Sequence, residues 1–144
     1  MEKKLKVLSI IFLMLAIVGF VESTYLTAEH FRGEIPPCTI VTGCETVLTS
    51  KYSTVAGIPV ALFGALYYLF LAILAVLFLD KKQTSILRLI ARVTPLGFLA
   101  SAFFVYLQVF VIKEICVYCM TSAVISTMLF LIGIYIIKLI KIRV

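Results

Sequence analysis

Four long apolar segments dominate this sequence and limit what it can fold into. Three of them contain no charged residue: 52–79, 93–112 and 115–137. The first segment is apolar over 7–21, is interrupted by Glu22, and resumes at Tyr25 and Leu26. A helix of about 20 apolar residues crosses the hydrocarbon core of a bilayer. The chain is therefore predicted to cross a membrane four times.

The composition excludes several other classes of protein. Hydrophobic residues make up 63% of the chain and charged residues 14%, and the mean hydropathy is +1.19. Soluble domains average roughly 45–50% apolar and about 25% charged residues. So little polar surface does not fit an ordinary soluble enzyme, a disordered chain or a nucleic-acid-binding domain, despite a net charge of +6.

We predict an all-α integral membrane protein with a single domain, 1–144, folded as a four-helix bundle with a long outer loop between the first two spans. The spans are predicted at residues 6–26, 59–79, 93–112 and 115–137, with the outer loop at 27–57. Pro59 suits the first turn of the second helix. A cleaved signal peptide is the alternative for the first segment, but no small-residue cleavage site follows it closely.

The basic residues predict the orientation of the spans. Ten of the 13 Lys and Arg residues lie at the two termini or around the link between the second and third spans. Basic residues accumulate on the cytoplasmic side of membrane proteins. We therefore expect a multi-pass protein of the plasma membrane with both termini in the cytoplasm. The excess of positive charge is then a topology signal, and no nucleic-acid partner is expected.

All four cysteines fall on the predicted outer side of the membrane. Cys38 and Cys44 lie in the long outer loop, and Cys116 and Cys119 follow the tight link between the last two spans. The outer side is the oxidising side, where disulfides form and persist. The placement indicates that the cysteines act in disulfide chemistry.

The second pair has the spacing of a redox motif. Cys116-Val117-Tyr118-Cys119 is a C-x-x-C sequence, and it is predicted to open the fourth helix. Free N–H groups at a helix start stabilise a thiolate there. We expect Cys116 to be reachable from the aqueous side and Cys119 to face the apolar interior of the bundle. Such a pair suits electron transfer from a water-side thiol to a lipid-soluble oxidant.

The first pair has the properties of a mobile shuttle. Cys38 and Cys44 lie in a loop with Pro and Gly residues. Because disulfides exchange through thiolate attack, Cys44 is expected to attack at Cys116, and Cys38 to receive electrons from outside. Two alternatives remain open from the residues alone: one zinc ion held by all four thiolates, or two structural disulfides. A disulfide across two intervening residues constrains the unfolded chain little, which weakens the second alternative.

Four motifs together resemble the vitamin K epoxide reductase family, in its compact prokaryotic form. These are Cys38-Thr-Ile-Val-Thr-Gly-Cys44, Glu45-Thr-Val-Leu-Thr-Ser50-Lys-Tyr52, Gly57-Ile-Pro-Val-Ala-Leu-Phe-Gly64 and Ile115-Cys116-Val-Tyr-Cys119. The resemblance implies a four-helix bundle that holds a quinone, of the menaquinone or ubiquinone type, near the outer membrane face. It also implies that a thioredoxin-like protein is oxidised, which supports disulfide formation in exported proteins.

The resemblance also implies individual roles. Cys38 would exchange with the partner, Cys44 would relay to Cys116, and Cys119 would face the quinone. Ser50 would lie in a surface helix that caps the site, with a helix-end hydroxyl as the alternative role. Since the chain ends at residue 144, its thioredoxin-like partner is expected to be a separate protein on the outer side.

The sequence departs from the vertebrate pattern at two quinone-contacting positions. An Asn in the second span and a Tyr one turn after the C-x-x-C are replaced here by Val60 and Ala123. This favours a plain respiratory quinone over vitamin K epoxide as the acceptor. Phe63 and Tyr67 are further candidates for an apolar quinone pocket, although membrane aromatics more often serve packing. Tyr68, Tyr106 and Gln108 belong to the same group of candidates.

Three alternative interpretations accompany this prediction. A quinone-linked disulfide oxidase of the DsbB type carries out the same reaction, but its two cysteine pairs occur in the opposite order. A non-enzymatic four-helix membrane protein with structural disulfides or a four-cysteine zinc site is the alternative from another class. Glu22 is interpreted as an interfacial residue, with a proton-handling role as its alternative. No metal is expected.

Overall fold

Four long helices make up nearly all of the structure, a computed structural model that describes residues 2–33, 51, 54–113 and 116–143. Helix α1 spans Glu2–Arg32, α2 Val60–Lys81, α3 Thr84–Tyr106 and α4 Val117–Arg143, and a π-helical turn, Leu107–Ile112, continues α3. All four helices are long and apolar enough to cross a membrane. The fold prediction is therefore confirmed: the chain is a multi-pass, four-helix membrane protein.

Each helix packs against its neighbours in a closed ring. The contacts run from α1 to α2, α2 to α3, α3 to α4, and α4 back to α1. Short links join α2 to α3 and α3 to α4, which makes these pairs antiparallel. The starts of α2 and α4 and the ends of α1 and α3 therefore meet at one end of the bundle. We call this the outer end, following the predicted orientation.

The core is apolar, and large side chains on the outside of the bundle are apolar too. All four helices contribute fully buried side chains to the core, among them Phe12, Ala16, Leu71, Leu87, Leu129 and Ile136. Exposed apolar residues such as Met14, Leu66, Leu99 and Leu131 cover the outer surface. Helices that are hydrophobic all round are typical of membrane spans. Helix α1 takes part in the core, as expected of a bundle helix.

Three helices extend well beyond their predicted spans because hydropathy detects the membrane and not the helix end. Helix α4 ends at Arg143 and not near residue 137. Helix α1 continues to Arg32, where the exposed Arg32 pairs with Glu29 at 3.6 Å. Helix α3 begins at Thr84 and not near residue 93. Its first turns bury Leu87 and expose Arg88, so an amphipathic extension precedes the uncharged part.

A small hairpin leads into α2. Strands β1, Thr54–Val55, and β2, Ile58–Pro59, pair antiparallel. The two residues between them, Ala56 and Gly57, have φ of 53° and 83°, as in the type I′ turn that two-residue hairpins favour. Pro59 then precedes the first helical residue, Val60, with φ −65°. The prediction that the helix starts at this proline is correct to within one residue.

Candidate functional site

The C-x-x-C pair lies at the start of α4, as the sequence predicts. Cys116 is the residue before the helix, and its carbonyl accepts a hydrogen bond from the N–H of Met120 at 3.0 Å. This is the first bond of the helical ladder, so Cys116 occupies the N-cap position. Cys116 and Cys119 are both free thiols. The structure therefore presents a reduced dithiol at a helix start.

The two sulfurs interact directly. The Cys119 thiol hydrogen-bonds to the Cys116 sulfur, and this bond lowers the pKa of Cys116, which lies outside the spanning part of α4, to about 7. Burial opposes this lowering, and N–H groups of Tyr118 and Cys119 add to it. A thiol with a pKa near neutrality is substantially ionised at physiological pH and is therefore a competent nucleophile.

The burial of the first cysteine differs from the prediction. Cys116 is fully buried, at 0% exposure, whereas Cys119 is half-buried. The expectation of a water-exposed Cys116 is wrong for this arrangement of the chain. Ile112 from the end of α3 packs against Cys116, together with Tyr118 and Cys119. These three side chains cover part of the first cysteine.

Gln108 bonds both Lys113, at the end of the π-helical turn, and Cys116, at the start of α4. Its side-chain oxygen accepts a hydrogen bond from the Cys116 N–H at 3.0 Å. Its backbone carbonyl accepts one from the N–H of Lys113, which has a left-handed φ of 62°. Gln108 is buried and lies in the π-helical turn, a distortion that is frequent at functional sites. The sequence offered Gln108 only as a pocket residue, because π-helical turns leave no periodicity signal.

Tyr68 lies one turn further into the bundle than the dithiol, away from the outer end. Its hydroxyl lies 2.9 Å from the Oγ atoms of both Ser122 and Ser126 on α4. Its ring passes over Gly19 of α1, where a Cβ would come within 2.7 Å of the ring atoms. One side chain of α2 thus touches α1 and α4. Ser122 lies one turn below Cys119, a rise of about 4.5 Å.

Glu22 lies beside the dithiol. It is one turn from Gly19 along α1, toward the outer end, and its charge interacts with that of Cys116. Both carboxylate oxygens are buried and have no hydrogen-bond partner among the residues that the structure describes. The carboxyl group of Glu22 therefore points into the bundle.

The other predicted site residues divide into two groups. Cys38, Cys44 and Ser50 lie outside the described residues. Val60 and Ala123 are half-buried, and Phe63 is 48% exposed. Tyr67 lies against α3, where it sits over Gly97 and its hydroxyl donates to the carbonyl of Thr94 at 3.4 Å. The first turns of α2 and α4 thus bring apolar side chains to the same end of the bundle as Cys119, a setting that suits a quinone ring.

Fold and site define a class of protein: a multi-pass membrane protein with a redox-type dithiol at the start of a spanning helix. The model of the vitamin K epoxide reductase family matches residues 10–134. The chain belongs to this family, whose members are membrane thiol-disulfide oxidoreductases linked to quinones. Comparison with curated proteins gives no match.

Proposed function

We propose that the protein oxidises a thioredoxin-like partner on the outer side of the plasma membrane and passes the electrons to a respiratory quinone. The electrons enter at Cys38–Cys44, move to Cys116–Cys119 and leave from Cys119. The reoxidised partner forms disulfides in exported proteins. The observation that carries this proposal is the hydrogen-bonded free dithiol at the start of α4, in a chain of this family.

The differing burial of the two cysteine residues supports different roles for them. Cys119 is half-buried and Cys116 is covered. Cys119 lies at the outer end of the bundle and keeps part of its surface exposed, which suits contact with a lipid-soluble acceptor. Cys116 then exchanges with Cys38–Cys44 when the side chains packed against it, Ile112 and Tyr118, move aside. Thiol-disulfide exchange proceeds by attack on one sulfur at a time. The residues packed against Cys116 therefore control access to its sulfur.

Apolar residues at the same end of the bundle as Cys119 fit a quinone ring. Phe63 and Val60 at the start of α2, and Ala123 one turn below Cys119, offer carbon surface without competing charges. When bound, a quinone accepts two electrons and two protons. The protein residues contribute the electrons through the dithiol and exclude water through the apolar surroundings.

Quinone reduction by the purified protein in detergent tests the proposal. A reduced thioredoxin-like protein supplies electrons, and a water-soluble quinone analogue accepts them. Cys119→Ala is expected to abolish turnover. Thr121→Ala is the matched control. Thr121 is an exposed residue of the same helix, and its hydroxyl donates a hydrogen bond to the carbonyl of Val117, one turn earlier. This variant is expected to keep the normal rate.

Two outcomes would contradict the proposal. Full turnover in Cys119→Ala would show that the electron path is wrong. Folded protein that reduces no quinone with several dithiol donors, and whose cysteines resist mild reductant or bind zinc stoichiometrically, would indicate a structural or metal-binding protein instead. Labelling of cysteines from each side of sealed vesicles tests the orientation, with Cys38 and Cys44 expected to be accessible from outside.

A further inference from the structure

The carboxyl group of Glu22 is the one buried acid beside the reactive dithiol in the described part of the chain, and the electron path does not use it. Both oxygens are buried without a hydrogen-bond partner among the described residues. A charge held in such a place without a partner is costly. A neutral carboxylic acid costs far less, so the group is expected to hold a proton between turnovers.

The packing of α1 places Glu22 at the level of the two cysteines. Gly19 rests on the Tyr68 ring, and Glu22 lies one turn, about 4.5 Å, further toward the outer end. The Tyr68 hydroxyl meets Ser122, and Cys119 lies one turn outward from Ser122. Glu22 and Cys119 are therefore both one turn above the same side chain, on neighbouring helices.

The groups that face Glu22 include no cation in the described part of the chain. Its charge acts on Cys116, Cys119 and Tyr118 of α4 and on Tyr68 of α2. Each of these side chains is either neutral or negatively charged. A carboxylate and a Cys116 thiolate would repel one another here, so the site favours one negative charge shared between them over two.

We propose that Glu22 stores one of the two protons that quinone reduction requires and exchanges it with the Cys116–Cys119 pair. The inference rests on the proposed function. In the reduced state Cys116 is a thiolate, Cys119 is a thiol and Glu22 is a neutral acid. This state holds two electrons for transfer and two protons, one on Cys119 and one on Glu22, which is what a quinone needs to become a quinol.

The proton and electron balance closes over one cycle. As the S–S bond forms between Cys116 and Cys119, two electrons and the Cys119 proton pass to the quinone, and Glu22 gives up the second proton and becomes a carboxylate. Reduction of the disulfide by an incoming dithiol then brings two protons. One returns to Cys119 and the other to Glu22, while the incoming pair leaves as a disulfide. The net charge of the site is −1 before and after each of the two steps, oxidation of the dithiol and reduction of the disulfide.

Glu22→Gln, Glu22→Asp and the control Glu29→Gln test this role in the full-length protein with dithiothreitol as reductant. Gln matches Glu in shape but holds no transferable proton. Loss of a positioned proton donor typically costs 10²–10⁴-fold in rate. Glu22→Gln is expected to lose about 10²-fold in quinone reduction, with a rate that falls further as the pH rises, because the second proton then comes from water. Glu22→Asp is expected to keep part of the rate.

The control lies on the same helix, two turns away. Glu29 is also buried but pairs with Arg32 at 3.6 Å, so Glu29→Gln is expected to keep the normal rate and pH profile. A Glu22→Gln protein with the normal rate and pH profile would overturn the proposal. A loss of rate equal at every pH would overturn it as well, because that indicates a structural role.

Two measurements do not depend on quinone turnover, and they separate this inference from the proposed function. Because Glu22 is neutral when Cys116 is a thiolate, Glu22→Gln is expected to leave the pH midpoint of Cys116 alkylation in reduced protein near its wild-type value. A clear downward shift would show that Glu22 is already a carboxylate in the reduced state, and would overturn the inference even if the protein reduces no quinone. Infrared difference spectra of the wild type are expected to gain the C=O stretch of a protonated carboxylic acid on reduction of the dithiol. If that band is absent in the wild type, or persists in Glu22→Gln, Glu22 does not store the proton.

Discussion

The side-chain oxygen of Gln108 accepts a hydrogen bond from the backbone N–H of Cys116 across 3.0 Å. Both groups are buried. The bond joins the π-helical end of α3 to the first residue of the redox motif. It holds Cys116 at the N-cap of α4, where its sulfur is both covered and close to the Cys119 thiol. The reactivity of the first cysteine thus depends on a residue eight positions earlier.

Gln108→Met is expected to destabilise the protein and to disturb the dithiol. Met has a similar length but no acceptor for the Cys116 N–H, and a buried donor without a partner costs about 1–3 kcal/mol. Thermal unfolding in detergent should show a lower Tm. Gln83→Met is the matched control, since Gln83 is exposed and makes no side-chain capping bond. Equal Tm values for the two variants would contradict this account of Gln108.

The reactivity of Cys116 is expected to change with pH near neutrality. The hydrogen bond from Cys119 lowers the pKa of Cys116 to about 7. Only the thiolate reacts, so alkylation of reduced protein is expected to reach half its maximal rate near pH 7 and to fall about tenfold for each pH unit below it. Cys119→Ala removes the hydrogen bond, and the midpoint is expected to rise toward about 8.5, the value of a free cysteine.

Peptide mass spectrometry identifies which cysteine has reacted in this experiment. A background in which Cys38 and Cys44 are replaced by Ser keeps the loop pair from exchanging with Cys116. A midpoint that stays near pH 7 in Cys119→Ala would show that the helix start, and not the second thiol, ionises Cys116.

The architecture of the protein was predictable because it depends on hydrophobic segments and charge. Four uncharged or nearly uncharged stretches specify four spans, and the position of Pro59 specifies the start of α2. The ends of α1 and α3 were not predictable in the same way. Exposed Arg88 and Arg92 lie on one side of a helix that buries Leu87 and Ile90 on the other, and hydropathy averages these two sides together.

The candidate site was only partly predictable, because its key contacts join distant helices. The C-x-x-C spacing identifies the dithiol and its place at a helix start. The burial of Cys116 depends on Ile112 and on the bond to Gln108, and the orientation of Glu22 depends on how α1 rotates against α2. Nothing local in the sequence records either contact. The single acidic residue inside the first apolar segment is the one signal that pointed to Glu22.

Tyr68→Phe is expected to weaken the contact between α2 and α4. The hydroxyl of Tyr68 meets Ser122 and Ser126 at 2.9 Å, and its loss leaves the buried Ser126 and the half-buried Ser122 without that partner. A cost of about 1–2 kcal/mol is expected for hydrogen bonds of this kind. Tyr135→Phe is the control, because Tyr135 is 45% exposed on the same bundle. Unfolding in increasing concentrations of a denaturing detergent measures the stability of both variants. A Tyr68→Phe protein as stable as the control would contradict the prediction.

Gly19→Ala tests whether close helix approach supports the site. Alanine is about 1 kcal/mol better than glycine in a helix interior, so an open position would gain stability. At Gly19, however, the new Cβ would lie 2.7 Å from the Tyr68 ring, and the ring cannot move without losing its bonds to α4. Overpacking of this kind costs about 1–3 kcal/mol. We expect a lower Tm together with slower quinone reduction, because the Tyr68 side chain contacts α4 one turn from Cys119 and helps to hold that cysteine in position.

Gly64→Ala is the comparison for that change. Its Cβ would meet only the side chain of Ser23, with Oγ at 3.2 Å, and a serine side chain can rotate by changing one dihedral. The helix propensity gain then outweighs a small adjustment, so stability is expected to stay the same or to rise. The two glycines lie on adjacent helices of the same bundle. If Ala lowers stability at Gly19 and raises it at Gly64, the loss at Gly19 is due to the Tyr68 ring. A gain in stability at both positions would show that α1 can move away from α2 without cost.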